Sequence, residues 1–239
     1  MTVAKVDPAA EARFWSRQLL DHTLFLDTGI ESPKARARAV KLRKSFQSLI
    51  IDGDRHGYAK YVAPALDLAR DLRQLETDVL DALAAGRWLG WLFPSFIEHQ
   101  RRAGDYFIAR AKGYELEPKA ELATWLRLIS DDAGFAAHWI DPSEKVLVRD
   151  ALAAAGEIRV IERSATASAS VSVTIVEQAA GAIRSWDSYL LRAGLGTAST
   201  RSVVQAALVG HWAREAQRAA QAVNMVRARV QPPKLRSVG

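Results

Sequence analysis

The 239-residue sequence contains no cysteine. This absence excludes disulfide bonds, thiolate nucleophiles, and zinc or iron–sulfur sites held by cysteine. It also fits the reducing cytoplasm, which we expect to be the location of the protein. No stretch approaches the roughly 18 consecutive apolar residues of a membrane span, and the first residues, MTVAKVDPAAEARFW, lack the apolar core of a signal peptide. We therefore expect no membrane partner.

Acidic residues are missing from one basic run, KARARAVKLRK at 34–44, in a chain whose formal net charge is +6. Within and just after this run, Ala39, Leu42, Phe46 and Leu49 recur at helical spacing. The basic groups are therefore predicted to form the solvated face of an amphipathic helix. No recognised nucleic-acid-binding motif accompanies them, so the sequence argues against a nucleic-acid partner. It leaves a protein partner or a homodimer open.

Nearly every long segment has the apolar periodicity of an α-helix. Asp-Pro at 7–8 and Ser-Pro at 32–33 mark helix starts, Pro94 either begins or kinks a helix, and DPSE at 141–144 predicts a capping box. The stretch 52–64 is predicted to be a loop. With apolar residues at 49% of the chain, a sizeable core is expected. The sequence predicts an all-α fold of eight helices, arranged as two tandem four-helix up-and-down bundles.

The two sets of helices show the pattern of an internal duplication. A shift of 110 residues aligns FWSRQLLDHTLFL with TWLRLISDDAGFA, and a shift of 112 aligns FIEHQRRAGDYF with LVGHWAREAQRA. Matched pairs include Trp15 with Trp125 and His99 with His211. We expect a first repeat at 1–113, a second at 114–230 and a flexible basic tail at 231–239.

The repeat gives weight to a histidine on an apolar stripe. His22 shares a helical face with Trp15, Leu19 and Leu26, where a core histidine with a satisfied hydrogen bond is one explanation and a metal ligand is the other. Its counterpart in the second repeat is Asp132, which is another ligand type. Two readings, a metal site and a metal-free core, remain open at this point.

The matched histidines of the last helix in each repeat extend this pattern. Glu215 follows His211 by four residues and therefore shares its face, whereas Ala103 occupies the equivalent position after His99. Nitrogen and oxygen donors of this kind suit iron, manganese or zinc better than calcium or magnesium. The candidate metal ligands, which we expect to form one centre between the repeats, are His22, His99, Asp132, His211 and Glu215.

The segments FWSRQLLDHTLFL, DDAGFAAHWIDPSE and HWAREA resemble motifs of the Bacillus cereus metalloprotein-like family of uncharacterised bacterial proteins. The resemblance implies two ferritin-like four-helix bundles and a metal centre, iron or a similar ion, with ligands from both halves. By position it marks His22, His99, His211 and Glu215. Asp132 stands where the family pattern has its second histidine.

Two functions follow from these patterns. The first is metal binding, with iron favoured over manganese and zinc. By analogy with carboxylate and histidine sites in helical bundles, the metal would carry out oxygen or peroxide chemistry. The second is a metal-free member acting as a helical scaffold or interaction module, which the departures at Asp132 and Ala103 favour. Whether the protein is an enzyme is left open.

Overall fold

The computed structural model describes residues 6–87 and 90–231. The described residues form eight α-helices and one 3₁₀ turn at Ala59–Tyr61, so the predicted all-α fold is confirmed. Apart from Gln231, the predicted tail at 231–239 lies outside the described residues. The helices are α1 (Pro8–Gly29), α2 (Pro33–His56), α3 (Val62–Ala84), α4 (Pro94–Ala111), α5 (Pro118–Trp139), α6 (Lys145–Ala167), α7 (Val173–Ala193) and α8 (Ala206–Val230).

Tertiary contacts divide the chain into two compact units, and unit 1 is Met1–Glu115. Within it each helix packs against the next one along the chain, and α4 packs back against α1. This closed order of neighbours is that of an up-and-down four-helix bundle. Its core is filled by large side chains from all four helices, including Trp15, Phe46, Leu72 and Phe107.

Unit 2, Leu116–Gly239, repeats the same order of packing. Helices α5 to α8 contact one another in sequence, and α8 packs against α5. An aromatic cluster occupies the core, where the ring of Trp212 lies 6.2 Å from that of Trp139 and 6.3 Å from that of Trp186. In both units the apolar helix faces predicted from the sequence therefore lie in the buried interior.

The helix-start signals of the sequence were right at three of four positions. The Asp7 side chain accepts a hydrogen bond from the Ala9 amide at 2.9 Å, and Ser32 caps α2. Pro94 is the first residue of α4 and does not kink it. The capping box at 141–144 was wrong, because Asp141 accepts from the Ser143 amide at 2.7 Å in a tight turn and α6 begins only at Lys145.

The stretch 52–64 is more helical than predicted. Helix α2 continues through Gly53 to His56, and α3 already begins at Val62. Glycine is needed at position 53 inside α2, because a β-carbon there would lie 2.6 Å from the ring of Tyr58. That ring folds back against the helix and is buried. The glycine that suggested a helix end is therefore a point of close packing.

The basic run at 34–44 lies on the outer face of α2, while Ala39, Leu42 and Phe46 are buried beneath it. Several of its cations are paired with acids of neighbouring helices. Arg43, for example, contacts Asp27 of α1 at 2.7 Å. Arg38 similarly binds Asp78 of α3, and the Arg38 guanidinium holds the pKa of that carboxyl below its ordinary value. These pairs offset part of the local positive charge.

In each unit a short backbone clasp joins the end of the first helix to the segment before the fourth. The Trp91 amide donates to the Gly29 carbonyl oxygen at 3.1 Å in unit 1, and the Val203 amide donates to the Trp139 carbonyl oxygen at 2.9 Å in unit 2. The clasped residues differ by 110 and 112 positions, which are the two sequence offsets. Beside the clasps lie the isolated antiparallel bridges Ile30–Gly90 and Ile140–Ser202.

Candidate metal centre

Helix α1 places His22 inside unit 1. Its neighbours one turn away on the same face, Leu19 and Leu26, are core residues, and the imidazole itself has 0% exposure. The Nδ1 atom of His22 lies 3.5 Å from Oε1 of Glu76 on α3, whose side chain is 1% exposed. The imidazole therefore has a carboxyl neighbour in the core rather than a purely apolar surrounding.

Glu76 is a residue that the sequence analysis missed. Burial raises the pKa of its carboxyl well above the ordinary value, and the nearby charge of Asp105 raises it further, while Arg101 and Arg73 oppose the shift. The available signal was its position, because Leu72, Leu75 and Val79 place Glu76 on the buried face of α3. An acid on an apolar stripe points to a partner in the core.

The second histidine of unit 1, His99, is buried on α4. Its ring lies 6.4 Å from that of Phe96 and nearly parallel to it, at an interplanar angle of 8°. Ala103, one turn further along the same helix, is also fully buried. The position that holds Glu215 in the second repeat thus offers no donor atom in unit 1.

Helix α8 brings two predicted ligands together in unit 2. Nε2 of His211 lies 3.6 Å from Oε1 of Glu215, and both side chains are buried. Four residues of helix place the imidazole and the carboxyl on one face. The predicted pairing of these two residues is therefore what the helix geometry produces.

Asp132 of α5 joins the same cluster. Burial raises the pKa of its carboxyl well above the ordinary value, and the nearby charge of Glu215 raises it further. One carboxyl oxygen of Asp132 lies within 4.8 Å of a carboxyl oxygen of Glu215. Glu215 is thus a common neighbour of His211 and of Asp132 within unit 2.

The two units differ in where their buried acids lie. In unit 1 the acid comes from the third helix, as Glu76, and the first helix carries His22. In unit 2 the buried side chains of α7, the third helix, are all apolar or aromatic, and the first helix carries Asp132. The buried acid on the third helix thus occurs in the unit whose first helix carries a histidine.

Buried histidine and carboxylate groups of both units could hold a metal ion. A mixed nitrogen and oxygen set of this kind fits iron, manganese or zinc. None of the helices in the described residues is both long and apolar enough to cross a membrane. Fold and side chains together define an all-α protein of two helical units with buried His/carboxylate clusters.

Comparisons with known proteins bear on the fold. No family model matches the chain. A crystal structure of an uncharacterised protein from Bacillus cereus superimposes with a TM-score of 0.84, covers 95% of this chain and 92% of its own, and shares 16% sequence identity. At that identity the likeness extends to the fold, and membership of the metalloprotein-like family stays a prediction.

A sequence relative comes from a virus. An uncharacterised protein of Acanthamoeba polyphaga mimivirus is 23% identical over 164 residues, which are 59% of this chain and 50% of the viral protein. The chain thus spans part of that relative, with the match covering half of its length. Its description adds no activity to the comparison.

Proposed function

We propose that the protein binds a metal ion through His22, His99, Asp132, His211 and Glu215, and that iron is the preferred ion over manganese and zinc. The observation that carries the proposal is the buried carboxyl of Glu215 in unit 2, which lies 3.6 Å from His211 and within 4.8 Å of a carboxyl oxygen of Asp132. All three residues are buried.

Burying several ionisable side chains costs free energy. An ionised carboxyl in an apolar interior is strongly unfavourable unless a cation or hydrogen-bond donors compensate it. The raised pKa of Asp132 reflects this cost in the absence of a cation. A divalent cation would compensate both carboxyls at once and accept the lone pair of a neutral imidazole.

An internal duplication explains why both units contribute ligand types. It is supported by two units with the same order of helix packing, by clasps at matched positions, and by the sequence offsets of 110 and 112. We place the repeats at 1–113 and 114–230. Ala103 offers no donor where the second repeat has Glu215, and Asp132 stands where the first repeat has His22, so we propose that the two repeats differ in the ligands they supply.

Metal analysis of the purified full-length chain tests the proposal. After growth with added iron or manganese, we expect at least one metal ion per chain, and loss of most of it in His211→Asn and Glu215→Gln. His56→Asn, at the exposed end of α2, is the matched control and should retain the metal. A metal content well below one per chain that does not respond to supplementation would refute metal binding.

The chemistry proposed for the centre is oxygen or peroxide chemistry. When bound by carboxylates and histidines in a helical bundle, iron supplies redox exchange with these oxidants. The proposal is a fold-level analogy, and it is tested by adding Fe²⁺ anaerobically and then following oxygen or hydrogen peroxide consumption. Consumption equal to that of free iron would remove this part of the proposal and leave metal binding intact.

A metal-free scaffold is the second candidate, and one observation favours it. Ala103 is fully buried at the position where the second repeat has Glu215, so the first repeat has lost a donor. In that case the unfolding temperature of the chain should be the same with added Fe²⁺, Mn²⁺ or a strong chelator. A binding ion would instead raise it through its affinity for the folded state. A cytoplasmic location is proposed for either candidate.

A further inference from the structure

The contact between His22 and Glu76 assigns a role to a residue outside the proposed ligand set. We infer that Glu76 is a positioning residue, which accepts the Nδ1–H of His22 and reserves Nε2 as the ligand atom. The metal-facing half of this statement rests on the proposed function. The hydrogen-bonding half concerns unit 1 alone and stands on the 3.5 Å approach of Nδ1 to Oε1 between two buried side chains.

The chemical reason is the tautomer of the imidazole. A neutral histidine carries one ring proton, and only the nitrogen without it can donate a lone pair to a metal. An acceptor beside Nδ1 holds the proton there and turns the ring so that Nε2 faces away from the acceptor. Metal-binding histidines usually have such an outer partner, most often a carboxylate or a backbone carbonyl.

The approach of the two atoms is longer than an ordinary hydrogen bond. The alternative partners of Glu76 are the two arginines whose charges reach it. Arg73 is bound to Asp105 at the surface, and both arginines act on the Glu76 carboxyl through their charge. His22 is a buried neighbour that this carboxyl approaches in the core.

The second unit supplies an internal comparison. Where the first helix carries Asp132 instead of a histidine, the buried side chains of α7 include no acid. A carboxyl at position 132 needs no tautomer to be selected, so a partner on the third helix would have no role. The acid on the third helix occurs in the unit that has the histidine, which is the pattern expected of a positioning residue.

The first test reads the tautomer in the protein without added metal. Long-range ¹H–¹⁵N correlation spectra of the histidine-labelled full chain should show His22 protonated at Nδ1, with its signals identified by their loss in His22→Asn. Glu76→Gln, which keeps an acceptor oxygen, should preserve this state, whereas Glu76→Leu should shift the proton toward Nε2. A wild-type His22 protonated at Nε2, or a spectrum unchanged in Glu76→Leu, would overturn the inference.

The second test measures affinity with Zn²⁺ as the probe, in competition with a chromogenic chelator. Loss of an outer partner of a ligating histidine typically weakens binding by about 10–100-fold. We expect a loss in this range for Glu76→Leu, a smaller one for Glu76→Gln, and none for Asp81→Asn, an exposed acid on the same helix. Equal losses in all three variants would show a general effect of charge and contradict the assignment.

Failure of the proposed function and failure of this inference give different results. If the wild-type chain binds neither Fe²⁺ nor Zn²⁺, metal binding fails while the tautomer spectra still decide the role of Glu76. If Zn²⁺ binds with unchanged affinity in Glu76→Leu, metal binding stands and the positioning role is refuted.

Discussion

Trp125 donates its indole N–H to the buried carboxyl of Glu121 at 3.2 Å, across one turn of α5. In α1, Trp15 makes the same bond to Glu11 at 3.1 Å. The two pairs are related by the offset of 110 residues. The tryptophans are visible as a matched pair in the sequence, and each acid precedes its tryptophan by one helical turn.

These tryptophan–glutamate bonds should contribute to stability in both units. Trp125→Phe and Trp15→Phe each remove the indole donor from a buried carboxyl, so we expect each to lower the free energy of unfolding by about 1–3 kcal/mol. Urea unfolding followed by circular dichroism measures the loss. Trp186→Phe is the control, because that ring is fully buried and its indole N–H has no hydrogen-bond partner among the described residues, so the change removes ring volume alone and should cost less. Equal losses in all three would show that ring volume, not the bond, is responsible.

The buried pair of Arg110 and Glu11 gives a prediction for unit 1. Nε of Arg110 lies 3.7 Å from Oε1 of Glu11, and both side chains are buried. Arg110→Met should destabilise by about 3 kcal/mol, because it leaves a buried carboxylate without its cation. Adding Glu11→Gln should restore most of the stability, since the charge is then absent and the acceptor for Trp15 is kept. Additive losses in the double variant would contradict this coupling.

The clasp of unit 1 depends on a glycine that unit 2 does not need. Gly90 has φ = 148°, and a β-carbon there would lie 2.0 Å from the Gly29 carbonyl oxygen. Gly90→Ala should therefore lower the free energy of unfolding by about 2 kcal/mol or more. Ser202 occupies the matched position in unit 2, where none of the described non-glycine residues has a positive φ. Ser202→Ala should change stability by less than about 0.5 kcal/mol, and a large effect there would show that the two clasps share the same strain.

The alkaline limit of stability should report on Tyr189. Burial, with a contribution from Asp150, raises the pKa of its hydroxyl from 10.0 to about 12, and the hydroxyl donates to the Leu147 carbonyl oxygen at 3.0 Å. Between these pH values the unfolded chain loses the proton and the folded chain keeps it. Stability that is fully present below pH 10 is therefore lost as the pH rises toward 12.

Tyr189→Phe should reduce the slope of unfolding free energy against pH in this window. At neutral pH the same variant should cost about 1 kcal/mol, for the lost hydrogen bond. Tyr114→Phe removes an exposed hydroxyl, at 63% exposure, and should leave the slope unchanged. An unaltered alkaline slope in Tyr189→Phe would mean that the hydroxyl ionises equally in both states.

What the sequence could predict was set by distance along the chain. Pro94 and the cap at Asp7 act within one helical turn, and the spacing of His211 and Glu215 fixes a shared face. The capping box at 141–144 failed because Glu144 instead points to another segment, where its carboxyl accepts from the Arg201 amide at 3.4 Å. Short-range signals are reliable until a distant partner competes for the same side chain.

The role of Glu76 could not be read in this way. Its stripe position was visible, but its partner His22 lies two helices earlier, and no local spacing relates them. At Gly53 a local signal was misleading, because the glycine suggested a helix end. The helix in fact continues, and the glycine leaves room for the ring of Tyr58. Both depend on which helices become neighbours, and this information enters only with the tertiary fold.

The clasp between Gly29 and Trp91 is a fixed point from which the number of residues to each histidine of unit 1 can be counted. His22 lies about two helical turns before Gly29, and His99 lies about one and a half turns after the start of α4 at Pro94. Inserting one residue between Pro94 and His99 would swing the imidazole by about 100° around the helix axis. Unit 2 keeps the same intervals for Asp132 and His211. We therefore expect an insertion or deletion within 90–99 to displace the His99 side chain, and one in the connection between α2 and α3 to be tolerated.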